Sequence, residues 1–461
     1  MTRYRSLPPS APSIHRLEVT LRPVGDLIPD PRNPRTHSVG QVRQIAQSIA
    51  AFGFNVPILI DRVGQVVAGH GRLAACRLLG WADVPTIMLE HLSAQQARAF
   101  TIADNRLTDT SEWDDRLLAE QLQSLAAADL DFDLEAIGFD LPEIDLRIQS
   151  LGADTTNEAP EDIDLPSPGA VPVSTLGDLW QLGPHRVLCG NAQRAEDYER
   201  LMAGRQASVV FSDPPYNVRI GGNVSGNGLT QHREFAMASG EMDGAGFAHF
   251  LTQACSLMAR HSASGSLHFV CMDWRHLPEL LAAGKAAYTE LKNLCVWVKD
   301  NGGMGSLYRS QHELVLVFKH GTAAHVNNVQ LGQYGRNRSN VWNYAGVNSF
   351  SRATGEGNLL ALHPTVKPLA MVADALMDAS NRGDHVLDPF LGSGTTLIAA
   401  ETTGRIAFGL EIDPLYVDTA IRRWQRRTGL KAVHADSGRA FDELEAERTL
   451  RIASLTAEAL H

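Results

Sequence analysis

The sequence predicts an α/β protein in which a large, mostly parallel sheet with helices on both faces follows a smaller α/β domain. Apolar strand patterns alternate with helical patterns after about residue 173, and this alternation is typical of parallel sheets covered by helices. Residues 153–172 are rich in proline, acids and small residues, which is typical of a linker. The 461 residues suffice for about two to four domains.

Negative charge is concentrated in one segment of the chain. The formal net charge is −11, and residues 129–164 hold twelve acidic residues against one base, Arg147. That segment alone therefore carries −11, and the rest of the chain sums to zero. The overall acidity thus does not exclude nucleic acid as a partner.

The cysteines and the hydropathy pattern favour a cytoplasmic protein. Five cysteines are widely spaced and form no C-x-x-C pair, which argues against a disulfide framework and a zinc knuckle. No apolar run approaches the roughly 18–20 residues that cross a bilayer. We therefore expect no membrane contact and no bound metal.

Local patterns organise the first part of the chain. VRQIAQSIAAFG predicts an amphipathic helix that ends at Gly53, VPILID and GQVVAG predict a hairpin, and GRLAACRLLG predicts a helix closed by Gly80. The predicted organisation is a disordered N-terminus at 1–15, a small α/β domain at 16–110, an acidic helical extension at 111–152, the linker at 153–172, a large α/β domain at 173–435 with an inserted loop region at 321–362, and a helical tail at 436–461.

Seven apolar runs after the linker predict strands, and four segments have helical spacing. The predicted strands are RVLCG, ASVVFSDPP, SGSLHFVCMDW, LKNLCVWVK, HELVLVF, DHVLDPF and RIAFGLEI. The predicted helices are FAHFLTQACSLMARH, LAMVADALMDAS, GTTLIAAETTG and LYVDTAIRRWQRR.

The motif SDPPYNV at 212–218 directly follows one of these strands. One interpretation is a turn at a strand end, with Tyr216 packed beneath it. The same residues also suit methylation of an exocyclic amine on a base, whose lone pair is delocalised into the ring. Asp213 and the carbonyl of Pro214 can accept the N–H bonds of the amine and stabilise the charge that develops on nitrogen. Pro214 and Pro215 make that geometry rigid, and Tyr216 offers a stacking face for an extruded base.

A glycine turn forms the second candidate site. HVLDPFLGSGTTLIAAE predicts a strand that ends at Asp388, then a turn, then a helix from near Thr395. Gly392 and Gly394 let a ligand approach the backbone, although a turn that merely packs a strand against a helix is the alternative. Glu411 lies 23 residues after Asp388, where an acid commonly accepts hydrogen bonds from ribose. The G-x-G-x-x-G fingerprint is not completed, so a cofactor with ribose and no pyrophosphate fits better.

Together these motifs resemble those of amino-directed DNA methyltransferases. DPPY at 213–216 resembles the catalytic motif of that family, and DPFLGSGT at 388–395 resembles its S-adenosylmethionine motif, in the order typical of the β group. HPTVKP at 363–368 and GLEIDPLYVDTA at 409–420 are similar to two further blocks. The resemblance covers about 173–427 and implies a Rossmann-like fold, S-adenosylmethionine as cofactor and double-stranded DNA as partner. Relatives in the β group are often homodimers.

The resemblance also implies roles for individual residues. The flipped base would be held by Asp213, Pro214, Pro215 and Tyr216. The cofactor would be surrounded by Asp388, Phe390, Gly392, Gly394 and Thr395, with Glu411 at its ribose and His363 and Lys367 at its methionine end. Asn191 departs from the family, which commonly has aspartate there. DPPY goes more often with adenine N6 and SPPY with cytosine N4, while the absence of Pro-Cys disfavours attack at cytosine C5.

A second resemblance concerns the N-terminal region. VVAGHGRLAACRLLGWADVPTIML at 66–89 and ADNRL at 103–107 are similar to the ParB/sulfiredoxin-type domain, whose partition members carry G-E-R-R and bind CTP. Here His70 and Arg72 stand within G-H-G-R, so the family glutamate and one arginine are missing, which argues against CTP binding. The loop contains no cysteine, which excludes sulfiredoxin activity. DNA contact, nucleotide sensing and a vestigial nuclease-like module all stay open.

Recognition of DNA is assigned to the inserted loop region. Arg336, Arg338 and Asn340 are expected to contact DNA, because arginine and asparagine read guanine and adenine edges; a solvated loop is the alternative. The basic helix IRRWQRRTGLK either contacts phosphates or forms a solvated face.

Three alternatives to an adenine-N6 DNA methyltransferase follow from the sequence. Cytosine-N4 methylation would use the same site. A ParB-like DNA-binding or nucleotide-binding module with an inactive methyltransferase half is disfavoured, because Asp213, Tyr216 and Glu411 are intact. Methylation of RNA or protein is disfavoured because those relatives tend to carry asparagine at the position of Asp213.

Overall fold

The structure, a computed structural model, describes residues 17–109, 113–128, 130–153, 171–217, 242–299, 307–332, 336, 338–344, 366–448 and 450. Its contacts divide the chain into two compact units, Met1–Asp154 and Thr155–His461. The N-terminus expected to be disordered lies outside the described residues, as does nearly all of the expected linker.

The first unit contains a four-stranded mixed sheet with helices. Its strands are β1 (Val19–Pro23), β2 (Ile58–Ile60), β3 (Val66–Ala68) and β4 (Asp83–Met88), in the order β1-β4-β2-β3. Its helices are α1 (Val39–Phe52), α2 (His70–Leu79), α3 (Ala94–Asp109), α4 (Asp115–Ala127) and α5 (Leu141–Ala153). The predicted hairpin is the antiparallel pair β2–β3, while β2 runs parallel to β4.

Local sequence sets the ends of the helices in this unit. Ser38 caps α1 by accepting a hydrogen bond from the Gln41 N–H, and Gly53 ends the helix at a φ of 81°. Gly80 ends α2 at a φ of 71°, in the left-handed region that glycine adopts without strain. Both helices therefore end where the glycine signals predict.

The second unit is built on a ten-stranded sheet. Its strands are β5 (Leu179–Leu182), β6 (His185–Cys189), β7 (Ala207–Ser212), β8 (Ser262–Met272), β9 (Glu290–Val298), β10 (His312–Lys319), β11 (Val341–Asn343), β12 (His385–Asp388), β13 (Ile406–Glu411) and β14 (Val433–His434). They follow the order β11-β9-β10-β8-β7-β12-β13-β6-β5-β14. The five central strands, β8-β7-β12-β13-β6, are all parallel, and antiparallel pairs flank them on both sides.

Helices cover both faces of the central strands. The helices are α6 (Ala195–Met202), α7 (Gly244–Arg260), α8 (Leu277–Ala287), α9 (Leu369–Ala379), α10 (Thr395–Thr403) and α11 (Pro414–Thr428). Successive strand residues point to opposite faces: Val209 lies in a core cluster with α9, α10 and α11, whereas Val210 lies in a second cluster with α6, α7 and α8. The predicted α/β class, with helices on both faces, is confirmed.

Several short elements were not predicted from the sequence. They include β5, β11, β14, α6 and α8. The strands among them have two to four residues, which is too few for a periodic signal. β11 and β14 also pair with strands far away in the chain, β9 and β5. Among the described residues, no helix is both long and apolar enough to cross a membrane.

A buried carboxylate fixes the first described residues of the second unit. Asp418 on α11 is fully buried and accepts hydrogen bonds from the backbone N–H of Val173 at 2.6 Å and of Ser174 at 3.0 Å. The Ser174 hydroxyl donates to the same carboxylate at 2.6 Å. A buried charge is tolerated when several donors satisfy it, so Asp418 attaches this segment to the helix.

We expect Asp418→Ala to lower the free energy of unfolding by about 2–3 kcal/mol, because two buried N–H groups and a hydroxyl lose their acceptor. The matched variant Asp442→Ala removes an exposed acceptor of Gln425 and should change the free energy of unfolding by less than about 0.5 kcal/mol. Urea unfolding followed by circular dichroism measures both variants. Equal losses would contradict the role given to Asp418.

Candidate functional site

Three parallel strands bring the two predicted motifs to one edge of the sheet. The DPPY motif begins with Asp213, directly after β7, while Asp388 and Glu411 are the last residues of β12 and β13. These strands are neighbours in the sheet, so their carboxyl ends meet. Ligands of open α/β sheets bind in the crevice at this edge.

The DPPY motif forms a short hydrogen-bonded turn. The Tyr216 hydroxyl donates to Asp213 Oδ1 at 2.6 Å, and Pro214 is buried beneath the turn. Asn217 has a φ of 53°, and its side-chain amide donates to the Met242 carbonyl at 2.8 Å. The Asp213 side chain keeps 21% of its surface exposed, so a ligand can reach the carboxylate.

Two lysines and a glutamate surround this turn. Lys367 Nζ lies 2.6 Å from Asp213 Oδ2, 3.1 Å from Glu313 Oε2 and 3.2 Å from the Tyr216 hydroxyl. Lys299 Nζ lies 2.5 Å from Glu313 Oε1. Both ammonium groups also lie over the ring of Trp297, at 4.7 Å for Lys299 and 5.9 Å for Lys367. The four ionisable side chains together carry no net charge when all are ionised.

The cluster keeps its lysine and glutamate charged despite burial. Burial alone would lower the pKa of Lys367, but Asp213 and Glu313 outweigh it and raise that pKa. Burial likewise opposes ionisation of Glu313, but Lys367 and Lys299 lower its pKa to about 2. For Asp213, burial raises the pKa, and Lys367 acts in the opposite direction. The ionised state of Asp213 therefore depends on Lys367.

The glycine turn lies beside this cluster and has room for a ligand. Gly392 has a φ of 54°, and a Cβ built there would meet nothing within 4 Å. Gly394 has a φ of 88°, and a Cβ there would lie 2.8 Å from the Cβ of Ala420 on α11. Gly394 is thus required both for its positive φ and because a side chain would collide with Ala420. Gly392 is required only for its positive φ, since the space beside it is open. Arg423 supports the turn by donating to the Ser393 carbonyl at 2.6 Å.

Within the part of the chain that the structure describes, two acids near the turn, Asp388 and Glu411, form no ion pair with a lysine or arginine of the kind that Asp213 forms with Lys367. Glu411 accepts hydrogen bonds from the N–H groups of Gly392 and Asp413, each at 2.8 Å, and Asp388 accepts one from the Phe390 N–H at 3.0 Å. Burial raises the pKa of each acid to about 7. Buried carboxylates beside a glycine turn can accept hydrogen bonds from the hydroxyl groups of a ribose, and their negative charge attracts a cationic ligand. The residues present therefore fit a nucleoside cofactor such as S-adenosylmethionine.

The structure places Lys367 at the DPPY turn, against Asp213. The sequence assigned it to the methionine end of the cofactor, and that assignment stays a prediction. His363 lies outside the described residues. Asn191 forms a local turn, because its side chain accepts a hydrogen bond from the Gln193 N–H at 2.9 Å.

The three insert residues that were expected to contact DNA are engaged within the protein, and their contact with DNA stays a prediction: Arg338 is half-buried and Asn340 is exposed. Arg336 is 5% exposed and pairs with Asp374 and Asp378 on α9. Arg338 pairs with the same two acids, and the Asn340 side chain donates to the Leu294 carbonyl. These side chains attach the insert to α9 and β9 because buried acids on α9 require cationic partners.

Sequence reasoning missed Glu313, Lys299 and Trp297 as members of the site. Glu313 occurs in HELVLVF, where it is the one acid in an apolar strand, and Lys299 closes the preceding strand. A charge within a buried strand was the available signal, because such a residue needs a partner.

In the first unit, the G-H-G-R segment is engaged by its own surroundings. His70 Nε2 accepts a hydrogen bond from the Asp30 N–H at 3.2 Å, which requires the neutral form of that nitrogen. Burial lowers the pKa of His70 and also that of Arg72. Arg72 lies against Gly69 and donates weakly to the Pro57 carbonyl at 3.4 Å.

Three family profiles match the chain. The DNA methylase profile matches residues 207–422, the ParB N-terminal domain profile residues 10–106, and the ParB-methyltransferase HTH domain profile residues 116–176. The HTH domain profile spans the region of α4 and α5, for which the sequence predicts only an acidic helical extension.

Individual relatives include two methyltransferases and one ParB-like protein. The type II methyltransferase M2.MboI of Moraxella bovis is 25% identical over 246 residues, covering 50% of this chain and 85% of the relative. M.HpaI of Haemophilus parainfluenzae is 24% identical over 257 residues, covering 52% and 73%. The ParB-like nuclease domain-containing protein YnaK of Escherichia coli K12 is 43% identical over 81 residues, covering 18% and 93%.

Solved structures with similar folds include M1.HpyAVI and the PvuII DNA methyltransferase, described as cytosine-N4-specific. M1.HpyAVI has a TM-score of 0.37 and 18% identity, covering 51% of this chain and 96% of its own. The PvuII enzyme has a TM-score of 0.40 and 14% identity, covering 60% and 94%.

The pKa of Glu411 predicts how stability depends on pH. Burial raises it from an ordinary 4.5 to about 7, so the folded protein binds a proton more tightly than the unfolded chain. The free energy of unfolding contributed by Glu411 therefore falls as pH rises from about 5 to 8. We expect the melting temperature of Glu411→Gln to depend less on pH over this range than that of wild type. Glu196→Gln, at a side chain 73% exposed, should leave the curve parallel to wild type, and parallel curves for both variants would refute the prediction.

Proposed function

Since the chain belongs to the N6/N4 DNA methylase family and carries ParB-type domains before it, we propose that it methylates the N6 amine of an adenine in double-stranded DNA, with S-adenosylmethionine as methyl donor. The observation that carries this proposal is the Asp213–Tyr216 hydrogen bond at the end of β7, at the same sheet edge as the Gly392 turn.

The DPPY turn supplies what an unreactive amine needs. The exocyclic nitrogen is a poor nucleophile because its lone pair is shared with the ring. Hydrogen bonds from its two N–H groups to Asp213 and to the Pro214 carbonyl favour a pyramidal nitrogen. The same acceptors stabilise the positive charge that develops on that nitrogen during attack. Tyr216 donates to Asp213 and thereby fixes the orientation of the carboxylate.

The glycine turn supports the cofactor part of the proposal. S-adenosylmethionine supplies an electrophilic methyl group on a cationic sulfur. We assign the ribose hydroxyls to Glu411, and the open space at Gly392 supports room for the nucleoside. Asp388, Phe390, Gly394 and Thr395 form the rest of the turn. The negative charges of Asp388 and Glu411 favour a cation, and alignment of nitrogen, methyl and sulfur accounts for much of the rate.

The first residue of the catalytic motif favours adenine over cytosine. Asp213 makes the motif DPPY, which in amino-directed methyltransferases goes more often with adenine N6, whereas SPPY goes more often with cytosine N4. Both bases offer an exocyclic amine to the same acceptors. Identification of the methylated nucleoside therefore decides between them.

We expect the wild-type protein to transfer labelled methyl groups from S-adenosylmethionine to unmethylated duplex DNA and to yield N6-methyladenine. Asp213→Asn should lower the transfer rate by about 10²–10³-fold, because one charged acceptor of the amine is lost. Asp384→Asn is the matched control, since Asp384 precedes β12 at the opposite edge and accepts from the Asn381 N–H. If the product is N4-methylcytosine, the substrate base is cytosine and not adenine. If methyl groups are transferred only to RNA or protein, DNA is not the acceptor.

An exposed apolar segment at the catalytic edge is suited to DNA contact. Leu307 and Tyr308 are 82% and 83% exposed, and Arg309 is exposed beside them. They precede β10, whose second residue, Glu313, lies 3.2 Å from the Tyr216 hydroxyl. Apolar and aromatic side chains wedge into opened base steps, and arginine binds phosphates. We therefore assign DNA contact to residues 307–309.

Tyr308→Ala should lower methyl transfer to duplex DNA by roughly tenfold or more, because stacking on a displaced base contributes about 1–3 kcal/mol. The affinity for S-adenosylmethionine should stay within twofold of wild type. Leu291→Ala provides the control, since Leu291 is also exposed but lies at the opposite end of the β9–β10 pair. Filter binding and initial rates measure both variants, and an unchanged DNA affinity for Tyr308→Ala would remove residues 307–309 from the interface.

A further inference from the structure

Lys367 has a position that the proposed chemistry does not explain. The residue is 5% exposed, and its ammonium group contacts Asp213 and Glu313. Asp213 Oδ1 already accepts from the Tyr216 hydroxyl, so Oδ2 is the carboxylate oxygen that Lys367 occupies. An ammonium group and the amine of a base both donate N–H bonds. They compete for this oxygen.

We propose that Lys367 occupies the amine-binding oxygen of Asp213 in the base-free site, and that Glu313 retains the ammonium group when the target amine replaces it. This inference rests on the proposed function, because it names the residues that prepare Asp213 for the base. Lys367 and Glu313 are positioning residues: they act through Asp213.

The geometry gives Lys367 a second acceptor at almost no displacement. Glu313 Oε2 lies 3.1 Å from Lys367 Nζ while the contact to Asp213 is intact. Glu313 Oε1 is satisfied by Lys299, which keeps the carboxylate anchored and charged. A small shift of the ammonium group toward Glu313 therefore releases Asp213 Oδ2 and leaves no buried charge without a partner.

The neighbouring ring limits where the ammonium group can go. The ring of Trp297 lies under both lysines, and the ring centroid of Tyr216 lies 5.5 Å from Lys367 Nζ. Aromatic faces attract cations, so they hold both lysines beside Glu313. Lys367 thus exchanges one carboxylate for another within a cluster that stays neutral.

Removal of the Lys367 charge would leave Asp213 among groups that disfavour its ionisation. The titratable groups around Asp213 are Glu313, Tyr216, Cys271 and Asp388, together with Lys367. Without Lys367, two buried carboxylates face each other, and one of them retains a proton to higher pH. The folded protein then binds an extra proton, so its stability falls more steeply as pH rises.

The first experiment is independent of methyl transfer. Melting temperatures of wild type, Lys367→Met, and Lys367→Met with Asp213→Asn are measured from pH 6 to 9 without DNA or cofactor. Lys367→Met should lose melting temperature with rising pH more steeply than wild type, and the added Asp213→Asn should remove the excess. Lys292→Met, which breaks a pair with Glu290 on β9, should stay parallel to wild type. A Lys367→Met curve parallel to wild type overturns the proposal.

The second experiment separates retention by Glu313 from a simple structural role. In Glu313→Gln the ammonium group lacks its second carboxylate and stays on Asp213, so the KM for duplex DNA should rise at least tenfold at pH 8. The affinity for S-adenosylmethionine should stay within twofold of wild type. Adding Lys367→Met removes the ammonium group that competes for Asp213 Oδ2. At pH 9 the KM of the double variant for duplex DNA should therefore be at least threefold lower than that of Glu313→Gln. If the increases in KM caused by the two single substitutions multiply in the double variant, the proposal is overturned.

Two further results decide between this role and the methionine-end role. If Lys367→Met weakens S-adenosylmethionine binding tenfold without a change in pH dependence, Lys367 belongs to the cofactor site and the proposal fails. If Lys367→Met does not fold, Lys367→Arg replaces it in the melting measurements and should keep the wild-type slope, whereas a steeper slope contradicts the proposal. If wild type methylates no DNA, the proposed function fails, while the melting curves still decide the Lys367–Asp213 pair.

Discussion

The parallel register of five central strands is the constraint on which the site depends. Because β7, β12 and β13 run side by side in one direction, Asp213, Asp388 and Glu411 reach the same edge although they are spread over nearly 200 residues of sequence. Burial of the strands on both faces fixes this register. A change in register would separate Asp213 from the glycine turn, so the core determines the alignment that the proposed chemistry needs.

The sequence revealed those parts of the site whose signals are local. Asp213 and Tyr216 are three residues apart, and the Gly392 turn joins a strand directly to a helix. The cluster around Asp213 could not be predicted, because Lys367 is separated from it by 154 residues and Glu313 contacts Tyr216 across 97. Only the pairing of β10 with β8 and the entry into α9 bring these charges together.

The ion pairs of Arg336 and Arg338 were missed for the same physical reason. Arginines in a loop rich in asparagine and glycine are expected to be exposed to solvent or to contact DNA when the sequence shows no acidic partner for them. Their partners, Asp374 and Asp378, are four residues apart on α9 and therefore share one face of a helix that is otherwise mostly apolar. Two acids at that spacing on a buried helix were a signal that the cations would come from elsewhere in the fold.

The carboxylates of the site differ in whether a lysine neutralises them, and this difference matches the direction in which charge moves during the proposed reaction. Methyl transfer from a sulfonium to an amine moves one positive charge from the cofactor side to the base side. On the side proposed for the cofactor, no lysine among the described residues neutralises Asp388 or Glu411 as Lys367 neutralises Asp213, and burial raises the pKa of each acid to about 7. On the base side, Lys367 neutralises Asp213 for as long as it remains in contact. A small shift of Lys367 toward Glu313 would free Asp213 Oδ2 for the arriving amine, so the charge that develops on nitrogen meets the carboxylate directly.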